Sequence, residues 1–386
     1  MNPIIEEFIC NAAYKFNKCH SQHGENVKSI LVIRTDVLGD MVITIPFFRE
    51  LRRAYPDSHI TLVCNQSIYN LVEPMPYVDK ILTVQQIRGG KHLFARRVLG
   101  AYKFAKKYLR DKVYDLAINP TYPAYYPEER IMISFAKAKR RVMYVQDEKT
   151  GEVTLTETDY CVSQGIKHVI DRTFDLLEAL GHRIENDDLE LFTTEEDVRY
   201  ISSLFAECGI RENSLKAVVC MSSGSGDRDW GADRFAEVAK WLQQSYCAEI
   251  ILLGDKKRTE AYGKEFLQIC PKAHNFIGRT TLRQVVEIMR RSDLHIGGDT
   301  GTLHIAVACD MKGVAIYKDW VGAHIQGGLA HETFRPWKSD IKVIQPKSPL
   351  PGCEDMCHVF HRPHCIRQVS AKEVIEELDK ILKAGK

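Results

Sequence analysis

The chain reads as an α/β protein made of two doubly wound, parallel-sheet halves. Three observations lead there. Short apolar, β-branched runs alternate with longer helical patterns; the alternation breaks at a polar stretch and then begins again; and 386 residues is long for one such domain but comfortable for two.

The first run, residues 30–33 (I-L-V-I), is apolar on both faces, as suits an interior strand covered by helices. Residues 60–64, 80–84, 113–118 and 141–145 follow as further strands, so the expected first domain is residues 28–185, after an N-terminal extension of residues 1–27. A helical stretch at 168–180 runs into the polar G-H-R-I-E-N-D-D, the candidate linker. A second domain, residues 186–369, repeats the architecture without repeating the sequence, with strands at 217–221, 249–253, 275–277, 294–296, 314–317 and 341–344. Thr281-x-x-Gln284 and Ser370-x-x-Glu373 have capping-box spacing, and the latter opens a C-terminal helix over 370–386. Residues 319–340, with Gly322, Gly327, Gly328 and Pro336, read as a long irregular loop.

Composition narrows the class. With 45% hydrophobic and 27% charged residues the chain is ordinary for a soluble protein. No apolar run approaches the roughly 18 residues needed to span a bilayer. The first residues lack the basic and apolar regions of a secretory signal, so a cytoplasmic protein is expected. A net charge of +2 carries no global message about partners, and no nucleic acid is expected. Most of the twelve cysteines stand singly, and Cys64, Cys220 and Cys309 look like small buried hydrophobes in a reducing compartment. Charge is uneven locally: residues 88–112 hold nine Lys or Arg against the single acid Asp111. Phe94, Val98, Ala101, Ala105 and Leu109 recur there at helical spacing, which predicts an amphipathic helix whose outer face carries Arg96, Arg97, Lys103, Lys106 and Lys107. That face is either solvated surface or a patch for an anionic acceptor or membrane.

Three loops fall at the carboxyl edges of the expected sheets, where open α/β sheets bind ligands. In the first, R-T-D-V-L-G-D-M, Arg34, Thr35, Asp36 and Asp40 are the polar groups, and Gly39 suits a tight turn with close backbone approach. Asp40 at the helix entrance suits a cap and a catalytic base equally well. In G-G-D-T-G-T-L-H, the glycines, Asp299 and the free N–H groups of the following helix form an anion site; Thr300 and Thr302 add hydroxyls and His304 lies one turn on. An Asp-capped helix is the plain alternative. In M-S-S-G-S-G-D-R-D-W-G, Ser222 and Ser223 lie in a run of small residues that lets a ligand close, Arg228 suits phosphate, and the neighbouring Trp230 fits a plain surface loop poorly. Neither G-x-G-x-x-G nor a P-loop is present, which turns the reading from dinucleotide or ATP chemistry to nucleotide-sugar transfer. Cys353, Cys357 and Cys365, interleaved with His358, His361 and His364, could make a tetrahedral zinc or iron site, yet C-x3-C-x7-C lacks paired C-x2-C knuckles. No metal is therefore expected, only reduced thiols packing the approach to the last helix.

The first and second of these loops resemble those of glycosyltransferase family 9, the ADP-heptose–lipopolysaccharide heptosyltransferases, and the resemblance covers roughly residues 28–385. It implies a GT-B fold, two Rossmann-like domains facing across a cleft, with acceptor held by the first and donor by the second. The implied reaction is inverting transfer of a heptose or related sugar from an ADP-sugar to a lipopolysaccharide core, with no cofactor. The catalytic aspartate falls on Asp40; the diphosphate turn falls on Asp299, Thr300 and Gly301, with Thr302 and His304 beyond; the basic phosphate residue falls on Arg228. Acceptor contacts fall to Arg34, Thr35 and Gly39 and to the basic helix through Arg96, Arg97, Lys106 and Lys107, with attachment at the inner membrane surface as a further expectation. His304 is expected to lend the leaving group positive charge. Two departures stand out: a ribose-binding glutamate would fall at Arg258, with Glu260 two residues later, and Asp36 puts a second carboxylate near Asp40. Other readings are a different donor, a protein acceptor, or a nucleotide-binding protein without transfer.

Overall fold

The computed structural model describes residues 26–384 apart from 88, 123–126, 147–152, 158–159, 164–166, 222–225, 326–327, 355–356 and 360–361. The chain forms two compact units, Met1–Asp188 and Leu189–Lys386.

In the first unit the apolar runs form parallel strands β1 (Ser29–Arg34), β2 (His59–Asn65), β3 (Lys80–Val84), β4 (Val113–Asn119) and β5 (Lys137–Gln146). Ile30 to Ile33 are completely buried, as a central strand with helices on both faces requires. Two further strands, β6 (Val153–Glu157) and β7 (Tyr160–Ser163), run antiparallel beyond β5, so the sheet is mixed and its order is β3-β2-β1-β4-β5-β6-β7. The wholly parallel half expected from sequence fails at this edge. Too few residues separate Gln146 from Val153 for a crossover helix, which takes about a dozen or more, so the chain can only turn back beside β5.

The second unit contains β8 (Lys216–Cys220), β9 (Glu249–Leu253), β10 (His274–Asn275), β11 (Leu294–Gly298), β12 (Lys312–Ile316), the small antiparallel pair β13 (His324–Ile325) and β14 (Gly328–Leu329), and β15 (Ile341–Ile344). Its main sheet, β10-β9-β8-β11-β12-β15, is parallel throughout. The stretch read as irregular loop, 319–340, thus includes a hairpin and the short helix Ala330–Phe334.

Both sheets reverse their order at the same place. The chain steps outward from β1 to β3 and returns to lay β4 on the other side of β1; it does the same from β8 to β10 and then β11. The loops leaving β1 and β4, and those leaving β8 and β11, therefore diverge from adjacent carboxyl ends, and each divergence leaves a crevice.

Apolar layers hold these edges in place. Helices Leu93–Tyr108 and Pro127–Phe135 bury Ala101, Ala105, Ile131, Met132 and Ile133 against Leu31, Ile33, Val63 and Ala117. At about 1.5–3 kcal/mol for each large aliphatic side chain buried, this layer fixes the helix that carries Glu129 far more firmly than surface charge could. In the second unit, helices Ala232–Tyr246 and Ala371–Ala384 pack Phe235, Leu242, Val374 and Leu378 on Val219, Ile250 and Leu252. Both expected capping boxes form: Thr281 with Gln284, and Ser370 with Glu373.

Candidate active-site residues

At the end of β1, the Arg34 guanidinium is buried among acids. Its Nη1 lies 2.9 Å from Asp36 Oδ2 and donates to Thr121 Oγ1 at 3.0 Å, while Nη2 lies 3.8 Å from Asp40 Oδ1 and donates to the Asp40 carbonyl at 3.4 Å. Glu129 accepts from the Thr35 amide, from Thr35 Oγ1 at 2.8 Å and from Thr121 Oγ1. Thr121 and Glu129 come from the segment after β4, the strand on the other side of the order reversal. Sequence reading missed both. The available signal was their position, in a Pro- and Tyr-rich stretch of sequence just past the carboxyl end of β4, beside β1.

Burial divides these acids. It pushes the Asp36 carboxyl well above the usual carboxylate range even with Arg34 beside it, and Glu129 and Asp40 add repulsion. Burial likewise raises Glu129. Asp40 reaches solvent, with its side chain 23% exposed against 3% for Asp36. The backbone around it differs from expectation: Gly39 and Asp40 lie inside a one-turn helix, Leu38–Val42, whose N-cap Val37 uses no side chain. Asp40 is therefore not a cap, and Gly39 is a buried helical residue instead of a tight turn. The chain bends later, at Ile43 and Thr44, where Thr44 Oγ1 donates to the Asp40 carbonyl at 2.6 Å.

The basic segment forms the helix Leu93–Tyr108, with Ala101, Phe104 and Ala105 inward and Arg96, Lys103, Lys106 and Lys107 exposed. Arg97 folds back to Glu128 at 3.7 Å and to the Ile87 carbonyl at 3.0 Å, so part of the basic face answers the acids of the neighbouring helix.

In the second unit, the loops after β8 and β11 meet through Arg228 and Asp299. Arg228 Nη1 lies 2.8 Å from Asp299 Oδ2 and 3.0 Å from the Asp299 carbonyl, and this carboxylate raises the guanidinium's affinity for its proton. The helix Gly301–Ala308 starts at Thr300 with no side-chain cap, so the Asp-capped alternative does not form and its first N–H groups remain for an anion. Thr300 Oγ1 and Thr302 Oγ1 are 2.7 Å apart. Lys318, just past β12, lies 2.9 Å from Asp319 and 3.6 Å from Asp227, adding a cation that sequence reading did not name. Ser222 and Ser223 lie outside the described residues.

One expectation changes here, that of a charged His304. His304 is buried, and burial pulls its pKa down to about 4; His295 beside it falls to about 3, by burial and then by its nearness to His304. Both are neutral at pH 7, so His304 brings no positive charge. The paired glycines also have a packing reason: a Cβ at Gly297 would sit 2.7 Å from His295 Nε2 and 3.2 Å from the Cys220 carbonyl. Trp230, which fitted a plain surface loop poorly, is fully buried, edge-on to Phe235, and donates to the Val369 carbonyl at 2.9 Å, so it belongs to the core. At the ribose position, Arg258 lies exposed in the first turn of a helix capped by Asp255, and Glu260 pairs with Lys264 at 3.5 Å.

No helix among the described residues is long and apolar enough to cross a membrane. The model of glycosyltransferase family 9 (heptosyltransferase) matches residues 103–349. Lipopolysaccharide heptosyltransferase 3 of Escherichia coli K12 is 20% identical over 78% of this chain and 83% of its own. Among solved structures, the family 9 glycosyl transferase of Veillonella parvula superposes with a TM-score of 0.70 at 20% identity, covering 95% of this chain and 100% of that one. E. coli heptosyltransferase WaaC with ADP gives 0.61 at 16% identity, covering 91% and 99%. These likenesses carry the fold, two Rossmann-like units of the GT-B class. With most of its length matched by the family model, the chain is a glycosyltransferase and belongs to family 9, the heptosyltransferases.

Proposed function

We propose that the protein transfers heptose from ADP-heptose to the core of a lipopolysaccharide, with inversion at the anomeric carbon. In this reading Asp40 takes the proton of an acceptor hydroxyl as its oxygen bonds to the anomeric carbon, and the bond from that carbon to the diphosphate oxygen breaks, releasing ADP. The observation that carries it is the contrast between the two aspartates on Arg34: Asp36 is sealed and inclined to hold its proton, whereas Asp40 is partly exposed. General-base assistance is worth on the order of 10² to 10⁴ in rate. Charge gathering on the departing diphosphate meets the N-terminus of the helix Gly301–Ala308, the Thr300 and Thr302 hydroxyls and Arg228, groups already oriented before the reaction. The likeness to lipopolysaccharide heptosyltransferase 3 and to WaaC, solved with ADP, supports this donor and acceptor.

The exposed lysines of the helix Leu93–Tyr108 suit a phosphorylated glycolipid at the inner membrane surface, as attraction to anionic headgroups is additive over nearby basic side chains. The reading is tested with purified protein, a panel of nucleotide sugars and heptose-deficient core acceptor, following product mass and ADP release. Transfer from ADP-heptose is the expected result. Transfer only from another nucleotide sugar, or only to a protein, would replace the proposed substrate; donor binding with no transfer to any acceptor would make this a binding protein.

A further inference from the structure

The segment between β15 and the last helix gathers four metal-binding side chains. Cys353, Cys357 and Cys365 are buried as a cluster, with Leu350 and Val359 packed against them. All three thiols face one imidazole: the Sγ atoms lie 3.6, 3.7 and 3.4 Å from His364 Nδ1, and the four donor atoms are all within 4.8 Å of one another. Hydrogen bonding does not account for this convergence, since a neutral imidazole nitrogen has one lone pair and three weak S–H donors would compete for it. A coordination tetrahedron does. With metal–sulfur bonds of about 2.3 Å and metal–nitrogen bonds of about 2.0–2.1 Å, tetrahedral angles put each sulfur about 3.6 Å from the nitrogen.

We propose that Cys353, Cys357, Cys365 and His364 hold one structural zinc ion. Three thiolates and an imidazole, closed to a fourth exchangeable position, are a ligand set that zinc favours. This departs from the expectation drawn from spacing, which looked for two C-x2-C knuckles; here adjacent residues, His364 and Cys365, supply two ligands from the start of a 3-10 turn, Cys365–Gln368.

The position suggests what the ion holds. The Cys353 carbonyl accepts from Trp320 Nε1 at 3.0 Å, and the Cys357 amide donates to Asp319 Oδ1 at 3.4 Å. Asp319 in turn pairs with Lys318, which reaches Asp227, the neighbour of Arg228. Zinc would thus pin the loop after β15 to the entry of the C-terminal helix and brace the segment after β12 that lies behind the donor arginine. The ion has no part in the transfer step proposed above.

The test is elemental analysis of full-length protein purified without an affinity tag. About one zinc per chain is expected, with loss of that zinc in both Cys353→Ser and His364→Ala, judged only where circular dichroism shows the variant folded. The wild-type protein gives a second measurement. Cobalt exchanged into it should show the visible absorption of a tetrahedral thiolate site, and chelation should raise the titre of reactive thiols by three. Metal-free wild-type protein with those thiols freely reactive or disulfide-bonded would overturn the proposal. Iron at equal stoichiometry would retain the ligand set and overturn the choice of ion.

Discussion

The edge formed by β1 and β4 and the edge formed by β8 and β11 share one strand order and differ in what they bury. The first crowds Asp36, Asp40 and Glu129 around Arg34; the second sets an Arg228–Asp299 pair beside His295 and His304. Burial acts on both by disfavouring charge, which moves acids and bases in opposite directions. The raised Asp36 and Glu129 carboxyls contribute stability that is complete below the ordinary carboxylate range near about 4 and erodes as pH rises toward their folded values. Depressed histidines in the second unit do the reverse. The same strand order thus carries one edge crowded with acids around an arginine and another that holds an ion pair and two buried histidines, and the side chains at each edge make that difference.

The comparison breaks most visibly if the carboxylate proposed as the base is removed. Asp40→Asn should lower turnover at least a hundredfold, the low end of general-base contributions, while calorimetric ADP affinity stays within about twofold of wild type. Near-normal turnover would pass the role of base to another group. The next effect concerns pH. With His304 titrating near 4 in the folded protein and near about 6.5 in the unfolded chain, unfolding takes up a proton in this window. Stability from this residue is complete above about pH 6.5 and is lost as pH falls through 4, on the order of 3 kcal/mol. Denaturant titrations between pH 7 and pH 4.5 should show a shallower acid loss in His304→Gln, and an unchanged slope would mean that the ring is not held neutral.

Arg228→Ala should weaken ADP binding by about 1.5–3 kcal/mol, the worth of a hydrogen bond to a charged group, without moving the acceptor Michaelis constant. Unchanged ADP affinity would remove Arg228 from the donor site. The smallest effect is expected on the basic helix. Charge reversal of Lys106 and Lys107 together should raise the acceptor Michaelis constant by a few fold, consistent with exposed charges worth up to about 1 kcal/mol each, and salt should mimic it in the wild type. Equal salt sensitivity of ADP binding would show that the patch does not discriminate between ligands.

What sequence could supply depended on how local each feature is. Strands such as Lys80–Val84, Glu249–Leu253 and Ile341–Ile344 were legible to the residue, because an apolar run between polar breaks is a property of neighbours in the chain. The motif positions of Asp40, Arg228 and Asp299 were legible too. Whether Asp36 or Asp40 faces solvent was not, since burial is decided by helices packed from elsewhere. Glu129 reaches Thr35 across 94 residues, and no spacing rule connects them. Trp230 fitted a surface loop poorly, but its place in the core was not legible either, since its partner, the Val369 carbonyl, lies 139 residues away in sequence. The helical state of Gly39 was hidden by its usual role as a turn residue.

The reversal of strand order also bears on how the sites come into being during folding. Arg34 bonds to Thr121 over 87 residues, and Arg228 to Asp299 over 71. Each pair requires a returning strand, β4 or β11, to dock beside the strand that began its unit, after the chain has closed a long loop whose entropy no local contact offsets. A chain that has paired only β1 with β2, or β8 with β9, has neither constellation. In refolding, the recovery of ADP affinity should therefore follow the docking of β11 and lag behind the return of helical signal, so that the nucleotide serves as a probe for completion of the second sheet.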